Sequence, residues 1–292
     1  MGTTASGHSG VLAHDRAGSG PPVVLLHGWP GDRTDFAEVA RLLQEGGTAE
    51  TVVPDLLGFG QSRGPEGAVT GVDEQVRAVV GLMDDVGLAS AVLAGYDVGS
   101  RVAQTLAATH PGRVEALVVA PPLPGAGRRV LDAEAQPEFW YQSFHRLPLA
   151  SELIDGRADA VRAYLTHFWS RWSGPSFTPE PQRLDHLTER YAAPGAFTAS
   201  IAWYRSGSAM IARSLAEHPP TRRITTPTTV LWPEHDPLFP PGWSDRLDEW
   251  FTDVRLRMID GVGHFVPVEA PGVFVEAITA AVRGTATPAG PR

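Results

Sequence analysis

Short apolar runs bounded by turn residues recur along the chain: VVLLH (23–27), TVVPDL (51–56), AVLAG (91–95) and VEALVVA (114–120), then TTVLW (228–232) and the more mixed VRLRMID (254–260) downstream. None has helical spacing, as expected for strands buried on both faces of a parallel sheet. Between the early runs the period changes. Val76, Val79, Val80 and Met83 fall on one helical face, and Val98, Val102 and Leu106 on another. Strand and helix alternate, which predicts an open α/β sheet, mostly parallel and flanked by helices.

The alternation stops at PPLPGAG (121–127) and resumes at PTTVLW (227–232). The stretch between is rich in Trp, Tyr, Phe, His and Arg and has helix-like segments but no good strand. That profile predicts a helical cap, residues 122–215, inserted into a core made of 1–121 and 216–292. Ligands of open α/β sheets bind beyond the carboxyl ends of the strands, so an insertion leaving that edge roofs the pocket. The two ends, MGTTASGHSG and GTATPAGPR, read as frayed.

Composition narrows the chemistry. The net charge of -9 and the scattered arginines leave no basic footprint for nucleic acid. No run approaches a membrane span, and the N-terminus lacks the basic and apolar regions of a signal peptide, so the expected location is cytoplasmic. There is no cysteine, and all 24 basic residues are arginines. Thiol nucleophiles, cysteine zinc sites and lysine Schiff bases are thereby removed. The expected partners are a small-molecule substrate and water, with no nucleic acid, no membrane, no cofactor and no metal; a homodimer is left open.

Four pieces fall at the carboxyl ends of predicted strands: HGWPG (27–31), GYDVG (95–99), WPEHDP (232–237) and DGVGHF (260–265). A strand followed by Gly-x-Asp-x-Gly and a helix is a sharp turn that holds its central residue, Asp97, out above the sheet. The backbone N–H of Val98 opens the next helix, and that of Trp29 in the earlier loop completes an oxyanion hole. Singly, each piece has an ordinary reading, since an Asp before Gly is usually a turn residue or a helix cap. The order nucleophile, acid, His, each after a successive strand, carries the weight.

With these pieces the chain resembles the α/β-hydrolase superfamily over roughly residues 20–283, and within it the branch with an aspartate nucleophile, which holds epoxide hydrolases and dehalogenases. The loop PDLLGFGQS (54–62) also matches. The resemblance implies a triad of Asp97, Asp236 and His264. A carboxylate is already ionised at neutral pH and can displace a leaving group from saturated carbon, giving an alkyl ester that His264, oriented by Asp236, hydrolyses with water. Glu234 is the alternative acid.

The leaving group separates the branches. PEFWYQSFHRLP (137–148) and SIAWYRSG (200–207) resemble epoxide hydrolase cap segments, in which a tyrosine from each sets its phenol on the epoxide oxygen; the matching positions are Tyr141 and Tyr204. The expected activity is an ether-bond hydrolase, an epoxide hydrolase making a vicinal diol from an apolar epoxide. Trp140 and Trp203 are expected against the substrate. A haloalkane or haloacid dehalogenase is the first alternative. Val98 stands where haloalkane dehalogenases place a halide-holding Trp, and only Arg101 matches the arginine pair of fluoroacetate dehalogenases. A ligand-binding sensor without turnover is the second. The elbow departs from the common Gly-His-Asp-Trp-Gly by Tyr96 and Val98. His27, His145, His167 and His235 are read as structural.

Overall fold

The apolar runs make up the middle and one edge of a single sheet. In the computed structural model, which describes residues 5–9, 12–62, 64, 68 and 70–286, eight strands are ordered β1-β2-β4-β3-β5-β6-β7-β8. They are β1 (Ala5–Ser9), β2 (Leu12–Gly18), β3 (Pro22–Leu26), β4 (Glu50–Pro54), β5 (Ala91–Gly95), β6 (Val114–Val119), β7 (Thr228–Pro233) and β8 (Val254–Ile259). β3 to β8 run parallel, while β1 and β2 are antiparallel additions beside β4. Val24 lies opposite Val52 on one side and Leu93 on the other. Every residue of β5 is buried, whereas β8 exposes Leu256 and Met258, as suits an edge and its mixed composition.

Helices cover both faces: α1 (Ala37–Glu45), α2 (Val72–Asp85) and α3 (Asp97–Thr109) early in the chain. Val76, Val79 and Met83 of α2 and Val102 and Leu106 of α3 are buried, and Val80 is half-buried. Burying one such side chain contributes about 1.5–3 kcal/mol. Between β6 and β7 the described chain forms only helical elements: α4 (Trp140–Arg146), α5 (Pro148–Ile154), α6 (Ala158–Trp172), α7 (Pro181–Ala192), α8 (Ala196–Ser200), α9 (Ala202–Arg205) and α10 (Met210–Ala216), with 3-10 turns before them. α11 (Val266–Glu269) and α12 (Pro271–Ala286) close the fold. No helix among the described residues is long and apolar enough to cross a membrane.

The N-terminal segment departs from expectation. Instead of fraying, Ala5–Ser9 pairs with β2. β2 itself carries His14, Asp15 and Arg16 in place of an apolar run, and its attachment to β4 includes an Arg16–Glu50 ion pair of 2.7 Å. Of the C-terminal stretch, 284–286 continue α12 and the rest lies outside the described residues.

Candidate active site

The turn between β5 and α3 holds Asp97 at φ +48°, and no other described non-glycine residue has a positive φ. Such a conformation costs about 1–3 kcal/mol and persists only where the surroundings enforce it. Here they do. The Tyr96 N–H donates to the Leu26 carbonyl (3.3 Å), the Asp97 N–H to Pro121 (2.9 Å) and the Gly99 N–H to His27 (2.9 Å). A Cβ on Gly99 would stand 2.0 Å from the Leu26 carbonyl oxygen, so the helix can begin this close to β3 only with glycine there.

The carboxylate of Asp97 meets a different partner at each oxygen. The Trp29 N–H donates to Oδ1 at 2.7 Å. Oδ2 lies 3.5 Å from His264 Nε2, which has no hydrogen-bond partner. The other ring nitrogen of His264, Nδ1, is 2.8 Å from Asp236 Oδ2, while Asp236 Oδ1 accepts from the Leu238 N–H at 2.9 Å. Asp97, Asp236 and His264, drawn from the ends of β5, β7 and β8, therefore form one buried chain. Burial disfavours the imidazolium, but the two flanking carboxylates outweigh it and push His264 up to about 10. The His264 loop is fixed by Glu269, whose carboxylate accepts the N–H groups of Gly174 (2.7 Å), Gly263 (2.9 Å) and Phe265 (3.0 Å).

The helical segment supplies the opposite wall. Tyr141 on α4 and Tyr204 on α9 meet edge to face with centroids 5.5 Å apart, and Tyr141 stacks on the Trp29 indole at 5.7 Å. Both tyrosines line a cavity of about 20 Å³ with Asp97, Val98, Trp203 and Phe239. Burial, reinforced by the nearby Asp97 charge, pushes both phenols well above their ordinary pKa. They remain hydrogen-bond donors at any physiological pH.

Two expected positions differ. Trp140 does not line this cavity; it is 43% exposed and stacks on the outer side of Phe168 at 6.0 Å, because α4 turns Tyr141 inward and its neighbour outward. Arg101 reaches the cavity wall, but its Nη1 donates to Glu217 Oε1 at 2.7 Å in a buried pair, so its charge is already matched. Glu234 is half-exposed beside His235 and takes no part in the buried chain. His27 is held in the backbone, with Nε2 accepting from the Leu56 N–H at 3.0 Å. His145 is buried against Tyr204 (4.5 Å), and burial, aided by Arg205, holds it neutral.

Sequence reasoning did not single out Trp172 or Phe239. Trp172 packs its ring 5.1 Å from His264 and 5.2 Å from Tyr141, and its carbonyl accepts the His264 N–H at 2.7 Å. Nothing distinguishes it within THFWSRW (166–172) from a core residue. Phe239 could have been found, since it follows Asp236 in the same strand-end loop.

A family model for the α/β-hydrolase fold matches residues 21–271. Lipase 3 of Moraxella sp. is 26% identical over 270 residues, covering 92% of this chain and 79% of the relative. The soluble epoxide hydrolase of Corynebacterium sp. is 28% identical over 270 residues, 89% of each chain. The crystal structure of epoxide hydrolase A from Mycobacterium thermoresistibile superposes with a TM-score of 0.77 at 25% identity, covering 97% of this chain and 99% of that one. Dehalogenases and an esterase are among further similar proteins.

Proposed function

Since the chain belongs to the α/β-hydrolase fold family, we propose that it is an epoxide hydrolase working through an ester on Asp97, with residues 122–215 as its cap. The observation that carries this reading is the pair of buried, protonated phenols, Tyr141 and Tyr204, on the same small cavity as Asp97. An alkoxide leaving group needs hydrogen-bond donors that keep their protons at neutral pH, and a phenol pair on the cap supplies them. A halide needs no such acid.

In this mechanism Oδ2 of Asp97 attacks an epoxide carbon while Oδ1 stays on the Trp29 N–H. The ring C–O bond breaks and a phenol gives its proton to the departing oxygen. Once alkylation has removed the Asp97 charge, the His264 imidazolium gives its proton, through solvent, to the phenolate; the neutral ring then takes a proton from water, and the hydroxide attacks Cγ of Asp97. The charge that develops on Oδ1 is met by the N–H groups of Trp29 and Val98. Collapse frees the diol and restores the carboxylate, and the proton taken from water restores the imidazolium beside it. One water is consumed. Haloacid turnover by the same triad is disfavoured by the pairing of Arg101 with Glu217, which matches the charge of the arginine that reaches the cavity wall.

The test is to change His264 to Gln, which permits alkylation but removes the base, and to weigh the protein after separate exposure to a broad epoxide panel and to a haloacid. The expected result is a stable adduct on the peptide containing Asp97. No adduct from any epoxide would refute the reading, an adduct from a haloacid alone would make the protein a dehalogenase, and binding without any adduct would make it a sensor.

A further inference from the structure

The fully buried carboxylate of Asp35 has no place in the chemistry above, yet it touches both halves of the site. It lies in the 3-10 turn Arg33–Phe36, six residues after Trp29. Tyr96, the residue before Asp97, donates its hydroxyl to Asp35 Oδ2 at 2.6 Å. From α7, Arg183 donates to Asp35 Oδ1 at 2.8 Å, so both carboxylate oxygens are used. A Cβ on Gly31 would fall 1.7 Å from Oδ2, and glycine there is what admits the carboxylate.

The same helical segment grips the rest of this loop. His186 of α7 lies 2.7 Å from Asp32 Oδ2, and the Tyr191 hydroxyl donates to the Gly31 carbonyl at 2.8 Å. From α6, the Trp169 indole N–H donates to the Pro30 carbonyl at 3.2 Å. Arg183 also stacks over Trp169, 5.2 Å from the ring centre. Residues 30–35 are thus held by polar bonds from two helices, immediately after the residue whose N–H holds Asp97.

Beside the backbone bonds from Tyr96 and Gly99 to Leu26 and His27, two side-chain ties join this loop to the turn at Asp97. One is the Trp29 N–H to Asp97 Oδ1 bond, whose acceptor changes from carboxylate to ester to oxyanion during the proposed reaction. The other, Tyr96 to Asp35, touches no reacting atom and stays constant. We propose that Tyr96, Asp35 and Arg183 form a positioning relay that keeps the oxyanion donors aligned on the Asp97 carbonyl while the ester is hydrolysed, with α7 as its anchor. The proposal deepens the ester reading and rests on it for its kinetic consequence. Hydrolysis is the step that needs alignment most, because charge then develops on Oδ1 and an oxyanion donor is worth about 10²–10³ in rate. Alkylation draws charge away from the same oxygen and is affected less.

Tyr96→Phe removes the tie at nearly constant volume. kcat should fall about tenfold or more, with KM falling in parallel and kcat/KM holding within about twofold, because the ester accumulates. Arg183→Met should shift the rates in the same direction and Arg183→Lys should recover most of the loss. Equal falls in kcat and kcat/KM, or no change in kcat, would overturn the positioning role. A second measurement does not depend on the reaction: hydrogen exchange of peptides covering 27–36 and 95–103 should be at least about tenfold faster in Arg183→Met than in the wild type. Unchanged exchange would overturn the relay itself. Should the wild type form no ester on Asp97, the proposed function falls and the exchange result still decides whether α7 anchors the loop.

Discussion

Removing one charge should convert His264 from a resting imidazolium into a group that titrates near neutrality. In the free protein the ring lies 2.8 Å from Asp236 and 3.5 Å from Asp97, and its pKa is pushed up to about 10. Asp97→Asn keeps the shape of the Asp97 side chain and deletes its charge, as the proposed alkylation would. A unit charge 3.5 Å away at an effective dielectric constant near 20 is worth about 5 kcal/mol, and 1.36 kcal/mol corresponds to one in pKa, so a fall of about three to four is expected. Nuclear magnetic resonance titration of histidine-labelled protein reads this directly. His264 should move from near 10 in the wild type to near 7 in Asp97→Asn, roughly as these magnitudes imply. A pKa unchanged between the two proteins, or a wild-type value already at that of a free histidine, would refute the reasoning. The raised value also has a sign for stability. Its stabilising contribution is complete below about pH 6.5 and is lost as pH climbs through about 10, so the wild-type melting temperature should fall across that window more steeply than that of Asp97→Asn.

Tyr141→Phe and Tyr204→Phe should each slow adduct formation by about 10²-fold, the scale of general-acid help, and leave ester hydrolysis nearly unchanged in single-turnover measurements. Full alkylation rates in both variants would assign the rings to packing alone. Glu217→Gln should expose the charge of Arg101 to the cavity and raise the affinity for a small carboxylate over its amide by about 10- to 100-fold in calorimetry, the strength of a charge-assisted hydrogen bond; unchanged preference would show that the pair does not tune the pocket.

Much of this arrangement was legible because its signals are local. The runs at 91–95 and 114–120 are apolar throughout, since strands buried on both faces have no polar side to show. Glycines at 95 and 99 mark the turn at Asp97 because backbone must pass within contact distance there. β2 escaped notice since one edge of its environment is polar and its pairing with β4 is long-range. Trp140 and Tyr141 show the limit of side-chain type as a guide: adjacent aromatics on one helix point to opposite sides, and periodicity in so short an element cannot say which faces inward. The Tyr96–Asp35–Arg183 chain was invisible because its members lie 61 and 148 positions apart in their two hydrogen bonds.

The cavity of about 20 Å³ has room for roughly one water-sized body. An epoxide, the substrate proposed, is larger, so its approach to Asp97 would require side chains such as Tyr141, Tyr204 or Phe239 to swing aside. Selectivity would then acquire a kinetic component, since a bulkier molecule needs a larger displacement of these side chains before its intrinsic reactivity counts. α6 and α7 are fastened to the loop at 30–35, whereas the cavity is closed by side chains of α4 and α9 and by Phe239. On the proposed mechanism, admission of the substrate and alignment of the oxyanion donors fall to different residues.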